Sequence, residues 1–379
     1  MLEPLLTGAF ATALRSIPVL AKYLAVLLVL ANVRSIPLAW HFRVFRPVFA
    51  IRIRYRLLRW SIMFKPKKVQ DVAEDRWLDS ITPIGANPFT MVVPYRSWAS
   101  IDDSDFNGHL SNSSYAKTLD AARFKCALEM FPLTFRAGSW MPLAETHYHF
   151  IREIPMLSKY EVRVSIGGWD QKWIYVVSKF VTKPKGKQPK KVTAKSESPQ
   201  PEPTTENLFH PSLRTPASND VSSAPTPLPH STTSAETSTD LKTVAANLAS
   251  KEEPDGAVLH TVCVSLVCFK MGRITVPPTL ALAINGFSVP PSSDGEVAAY
   301  SRTNPPPHWA KAKAVWSKPQ GGSTKALAAL LKGGWRDVSE SERWWDQALS
   351  GSLDEKRKEN MAGLEALRKG MDAARISTL

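Results

Sequence analysis

Two aspartates one residue apart, Asp103 and Asp105, lie in an acidic turn that also holds Gly108 and His109. The run reads Ile101-Asp-Asp-Ser-Asp-Phe-Asn-Gly-His-Leu-Ser-Asn-Ser-Ser-Tyr115 and continues to Asp120-Ala-Ala-Arg123. A carboxylate can act as a nucleophile or as a general base. A helix start carries unpaired N–H groups and a partial positive charge, which suits it to polarising a carbonyl oxygen. Side by side, the two are the parts needed to hydrolyse an activated acyl group. A lone Asp-x-Asp usually only shapes a turn. Here a Gly-His pair, a helix and a second acid with an arginine accompany it.

The elements that must position these residues follow from periodicity. Met91–Trp98 is an apolar strand leading into the turn. Asn112 or Ser113 can cap the helix, which spans 114–130 with Tyr115, Leu119, Ala122 and Cys126 on one face. Phe131-Pro132 ends it. Residues 140–152 alternate as a strand, with Glu145, His147 and His149 on one face and Thr146, Tyr148 and Phe150 on the other. Two histidines and a glutamate without a further ligand set do not make a metal site. Tyr160–Ile166 and Trp173–Val181 read as a hairpin turned by Gly167-Gly168, and Val258–Phe269 as a buried strand. Met271–Ala283 continues that edge until Pro277-Pro278 closes it. The order strand, helix, four strands predicts an α+β fold, a curved antiparallel sheet around a central helix; another α+β sandwich is the alternative.

The run from Asp103 to Tyr115, with Asp120 and Arg123 in the same helix, resembles the signature of hotdog-fold acyl-CoA thioesterases of the 4-hydroxybenzoyl-CoA thioesterase type. It is more similar still to their membrane-anchored thioesterase-like branch, which includes fungal members encoded beside polyketide or lipopeptide pathways. The resemblance covers roughly residues 90–285, apart from an insert. Ser111 departs from it, standing where the first Asn of an Asn-Asn pair is usual. The resemblance implies a thioester hydrolase, acting on acyl-CoA or on acyl groups carried by a phosphopantetheine arm in lipid or secondary-metabolite biosynthesis. It also implies a homodimer formed through the sheets, with the acyl channel between protomers, and calls for no cofactor. Asp105 matches the carboxylate that serves as nucleophile or as base for water. Asp103 organises the loop, and the N–H groups near Gly108 and His109 bind the thioester oxygen. Asn112 and Tyr115 hold the loop or line the pocket. Asp120 and Arg123 form an internal ion pair or, alternatively, supply an acid to a second protomer. The competing function is a catalytically silent hotdog that binds acyl chains or acts as a scaffold.

The chain has 379 residues and a formal net charge of +14. Residues 1–68 hold twelve Lys or Arg against Glu3 alone. Ser16–Val33 is apolar apart from Lys22 and Asn32, which predicts a single membrane span followed by a basic run, Arg43–Arg59, on anionic membrane lipids. By the positive-inside rule the hotdog domain would face the cytosol. Mitochondrial targeting ranks second, and nucleic acid is excluded because the basic patch adjoins an apolar run. Cys126, Cys263 and Cys268 have neither metal nor disulfide spacing. The expected organisation is an anchor (1–68), a connector (69–90), the first part of the hotdog domain (91–182) and an insert (183–256). The last hotdog strand (257–289), a linker (290–307) and a helical tail (308–379) complete it. The insert is rich in Pro, Ser, Thr, Lys and Glu and is predicted to be disordered. The tail carries Trp309, Trp316, Trp335, Trp344 and Trp345, which predicts docking on the domain or on a partner.

Overall fold

The computed structural model describes residues 18–183, 253–289 and 299–377. Its centre is a five-stranded antiparallel sheet in the order β1-β3-β4-β5-β2. The strands are β1 (Val93–Trp98), β2 (Leu143–Phe150), β3 (Lys159–Trp169), β4 (Ile174–Thr182) and β5 (Val258–Val267). Helix α4 (Asn112–Met130) packs on one face, as in a hotdog fold, and buries Tyr115, Leu119, Ala122, Cys126 and Met130. Facing it, β3 contributes Val162, Val164 and Ile166 from alternate positions, the period expected of a strand with one buried face. Each such aliphatic side chain stabilises the fold by roughly 1.5–3 kcal/mol.

The other face of the sheet is covered too, which explains why β4 and β5 are nearly continuously apolar. Helix Ser352–Ser377 lays Met361 and Leu364 over Tyr175, Val177, Val264 and Leu266. Gly167 and Gly168 do not turn the hairpin, contrary to the sequence expectation. The strand runs through them, with a bulge, to Trp169. The turn lies at Asp170, whose Oδ1 accepts from the N–H groups of Lys172 (2.7 Å) and Trp173 (2.6 Å). Gly168 makes room for the helix, since a Cβ there would lie 2.7 Å from Met361 Sδ, while one on Gly167 would lie 2.6 Å from Val177 Cγ2 of β4 and 3.1 Å from Leu364 Cδ1. Asn360 donates to the Gly167 carbonyl and Arg357 to that of Trp169.

β4 and β5 are neighbours in register, Thr182 opposite Val258, so the chain between them takes the place of a hairpin turn. Residues 184–252, the bulk of the expected disordered insert, lie outside the described residues, as does the linker stretch 290–298. Residues 271–283 depart from the predicted edge continuation. They form a small hairpin, β6 (Phe269–Met271) with β7 (Ile274–Val276), and then a buried helix, α6 (Pro278–Ile284). Pro278 in the first turn costs no hydrogen bond and starts this helix rather than ending a strand.

The N-terminal region corrects another expectation. Among the described residues no helix is long and apolar enough to cross a membrane. The described part of α1, residues 18–31, measures about 21 Å against the roughly 30 Å of a hydrocarbon core. Turns follow it at once, and a span extended through 36–40 would need Arg34 to snorkel, whereas Arg34 is engaged with Asp103. The single-pass, cytosol-facing placement is therefore withdrawn. Helix α2 (Ala39–Ser61) packs beside α4, with Val44 buried and Phe45 edge-on to Phe124.

Helix α3 (Lys67–Ile81) occupies the first part of the connector and holds the tail. Lys313 bridges Asp75 and Asp79, and Lys318 reaches Glu74 at 2.9 Å. Glu74 is buried and also takes Tyr55 of α2 and Arg136 of α5 (Pro132–Arg136). Burial alone would raise its pKa, but the bonds from Tyr55 and Lys318 and the Arg136 charge outweigh it and hold the carboxyl at about 2. Trp309, Trp316, Trp344 and Trp345 are buried in the main core, so the tail docks on the domain.

Candidate active site

The acidic run folds as a short 3-10 turn, Ile101–Asp103, followed by a tight hairpin whose stem is the Ser104–Leu110 bridge. Asp105 opens the hairpin tip. Its backbone N–H donates to the His109 carbonyl (2.8 Å), and its own carbonyl accepts from Gly108 (3.1 Å). Gly108 has φ +76°, a left-handed conformation that glycine adopts without strain. The Asp105 carboxylate accepts from the N–H groups of Asn107 (2.9 Å) and His109 (3.3 Å), and the side chain is exposed. The Gly108 and His109 amides expected to bind a thioester oxygen are thus both engaged with Asp105. A second strip of chain supports the tip: Met156 donates to the Gly108 carbonyl and Leu110 to that of Ile154, both at 2.8 Å.

Asp103 is the opposite of Asp105 in every respect. Its side chain is 1% exposed. Oδ1 accepts from Lys117 (2.7 Å), Oδ2 accepts from Ser100 (3.0 Å), and Arg34 lies 3.3 Å from Oδ2. Its carbonyl accepts from Ser111 N–H (3.0 Å), which ties the turn to the start of α4. Ser111, not Asn112 or Ser113, is the N-cap, and its side chain caps nothing; its hydroxyl meets those of Ser113 and Ser114 instead. The N–H groups of Asn112 and Ser113 consequently have no partner among the described residues, so α4 starts with free donors. Asn112 itself is exposed.

His109 Nδ1 lies 3.0 Å from Glu153 Oε2 but is misaligned for a hydrogen bond. Tyr115 is buried, edge-on to Phe150 and tilted against Phe180. Burial pushes its phenol up to about 12, so it remains protonated. Asp120 and Arg123 pair at 2.6 Å. Arg123 is itself buried and donates further to Thr146 of β2 (2.8 Å) and Ser265 of β5 (2.9 Å), which anchors α4 to the sheet. The structure therefore gathers Asp103, Asp105, Gly108 and His109 in one loop and leaves Asp120 and Arg123 lower on α4. The sequence reading missed Arg34, Lys117 and Glu153. Lys117, two turns into the helix, is the one that spacing could have suggested.

Along β2, which has no strand on its outer side among the described residues, Phe150 and Tyr148 stack parallel beside Tyr115. Phe150 is 43% exposed and Phe106, at the hairpin tip, 98%. Two cavities of about 450 Å³ lie elsewhere, one lined by Thr82, Gly85 and Tyr300 and one by His308 and Trp344, and neither touches this loop. In a single chain the loop and the β2 edge form an open surface.

Residues 99–198 match the thioesterase-like superfamily model. A probable thioesterase of Saccharomyces cerevisiae is 37% identical over 90 residues, which is 23% of this chain and 39% of that protein. The probable thioesterase atnL of Emericella nidulans is 26% identical over 176 residues, 41% of this chain and 52% of atnL. The chain thus spans about half or less of the length of these relatives. Among solved structures, the 4-hydroxybenzoyl-CoA thioesterase of Pseudomonas sp. strain CBS-3 aligns over 51% of this chain and 97% of its own. Its identity is 12% and its TM-score 0.27, too low to carry an argument. The matched segment contains the loop described above, with the acidic tip at its exposed end.

Proposed function

We propose that the chain hydrolyses acyl thioesters, either acyl-CoA or acyl groups on a phosphopantetheine carrier, with Asp105 as the reacting carboxylate. The observation that carries this reading is the contrast within the Asp-x-Asp pair. One carboxylate is buried and bound on both oxygens, while the other is held by two backbone amides at an exposed tip. As nucleophile, Asp105 would add to the thioester carbonyl and expel the thiolate, leaving a mixed anhydride that water then cleaves to the free acid. As base, it would take a proton from the attacking water and leave the thiolate to depart from the tetrahedral intermediate. The N–H groups of Asn112 and Ser113, free among the described residues, are the donors left for the developing oxyanion, since those of Gly108 and His109 are already used.

The same reading takes the protein as a homodimer. Among the described residues the outer edge of β2 has no partner strand, and Leu143 and Phe150 stand exposed at its two ends, with Trp140 exposed just before it. A second copy there would cover the Tyr148–Phe150 stack and enclose an acyl chain. A place in fungal secondary metabolism is supported by the similarity to the probable thioesterase of Emericella nidulans and to a thioesterase of Penicillium oxalicum. The competing reading, a silent acyl-binding or scaffold protein, draws on the engaged Gly108 and His109 amides. A thiol-release assay on the full chain, over acyl-CoAs of several lengths and acyl-carrier substrates, separates the two. Turnover supports hydrolysis, and acyl binding without turnover supports the scaffold.

A further inference from the structure

Asp103 is surrounded by more positive charge than it needs, and most of that charge comes from far upstream. Lys117 belongs to α4, but Arg34 lies in the turn after α1 and Arg43 in the second turn of α2. Both precede the segment that matches the thioesterase-like model. Arg34 uses its whole guanidinium. Nε faces Asp103 Oδ2 at 3.3 Å, one terminal nitrogen donates to the Trp98 carbonyl, and the other donates to Ser97 Oγ at 3.1 Å. The plane also lies over the Trp98 indole, 5.4 Å from its centroid. Next to it, Ser35 Oγ donates to Asp102 Oδ2 at 2.7 Å. Residues 34 and 35 therefore clip the end of β1 to the 3-10 turn that carries Asp103.

From Asp103 the connections lead directly to the candidate chemistry. Its carbonyl holds Ser111 N–H at the start of α4, and its carboxylate holds Lys117 two turns along that helix. One residue further on begins the hairpin stem, Ser104–Leu110, with Asp105 at its tip. Asp103 thus sets where the hairpin stands relative to the helix start, and Arg34 and Lys117 hold it from opposite sides. Arg43 differs in kind. Its terminal nitrogens are buried without hydrogen-bond partners, and the nearer lies 3.9 Å from Oδ2, so it contributes charge and little direction.

We infer that Arg34 is a positioning residue for the Asp105 hairpin, so that the N-terminal arm is part of the working site rather than an appendage to it. This rests on the thioesterase reading given above. Only arginine fits the position, because its two terminal nitrogens donate in different directions while Nε keeps the charge beside Asp103; lysine would supply the charge alone. Loss of Arg34 leaves Asp103 still neutralised by Lys117 and Arg43, so the domain folds while the hairpin loosens.

The test uses the full chain as wild type, Arg34→Lys and Arg34→Ala, with thiol release measured over acyl-CoAs and amide hydrogen exchange measured in parallel. Misplacing a reacting group by about 1 Å costs on the order of 100-fold, so Arg34→Ala should lower kcat by at least about tenfold with KM within about twofold. Arg34→Lys should recover little of this, whereas free guanidinium added at non-denaturing concentration should recover part in Arg34→Ala. The amides of Asp105, Leu110 and Ser111 should exchange at least about tenfold faster in Arg34→Ala, with those of β3 to β5 unchanged. Full kcat in Arg34→Ala, or faster exchange spread through the strands as well, overturns the inference. If the wild type shows no turnover on any substrate, the thioesterase reading fails instead. Exchange then decides alone, and unchanged hairpin amides overturn the positioning role.

Discussion

Replacing Asp103 by Asn changes one charge and almost no volume, yet it should be among the most damaging single substitutions in the domain. The carboxylate is 1% exposed and sits among Ser100, Lys117, Arg34 and Arg43. An amide keeps one acceptor and turns a donor toward a cation. At least one charge-assisted bond is lost, worth about 1.5–3 kcal/mol. The partly buried Arg34 side chain, 12% exposed, then faces less counter-charge. Breaking such a buried pair costs about 3–5 kcal/mol in total. At roughly 2–3 °C per kcal/mol for a domain of this size, the melting temperature should fall by about 6–15 °C. Asp105→Asn is the internal control. It is the same chemical change two residues away, on an exposed side chain whose bonds from Asn107 and His109 an amide oxygen can keep, so its cost should stay below about 0.5 kcal/mol. Thermal and urea unfolding of both variants beside wild type decide the matter. A Asp103→Asn cost below about 1 kcal/mol would refute the view of Asp103 as a buried hub.

Further outcomes follow from other parts of the fold. Burial pushes the His308 imidazole down to about 4, and its Nε2 has no partner, so the folded chain keeps it neutral while an unfolded chain protonates it near 6.5. Stability from this residue is complete above pH 6.5 and is lost as pH falls toward 4, with a slope of at most about 1.4 kcal/mol per pH unit. His308→Phe keeps the stack on Trp344 but loses the bond to the Ala283 backbone. It should lower the melting temperature at pH 7 and flatten its pH dependence in that window, where His260, which burial shifts the same way, still contributes, and Glu74 adds a further loss toward pH 4. Gly168→Val would press a branched side chain against Met361, 4% exposed, and should cost about 1–3 kcal/mol. Limited proteolysis would then cut helix Ser352–Ser377 first, and unchanged resistance would argue against close packing there.

Much of the site's framework was legible because it is local. The apolar face of α4 has helical spacing, β3 alternates, and the order strand, helix, four strands survives in the observed sheet. What stayed hidden depends on partners distant in sequence. Gly167-Gly168 carries the composition of a turn, and the pair inside a strand is explained by helix Ser352–Ser377, nearly two hundred residues on, together with Val177 of β4. Arg34 and Arg43 stand in a basic, apolar stretch whose composition suits a membrane surface, and nothing nearby points to a buried aspartate some seventy residues later. The amides of Gly108 and His109 have the right composition for an oxyanion site, but the type of tight turn spends them on Asp105. Composition names the donors, and turn geometry decides which are free.

The most direct test of the proposed chemistry is thiol release by the full chain against Asp105→Asn, with unfolding curves matched. Hydrolysis at Asp105 requires that the wild type release thiol from an acyl-CoA or an acyl carrier, and that the variant be at least about 100-fold slower with its stability intact. An Asp105→Asn variant that turns over at the wild-type rate would contradict the assignment of Asp105 as the reacting carboxylate.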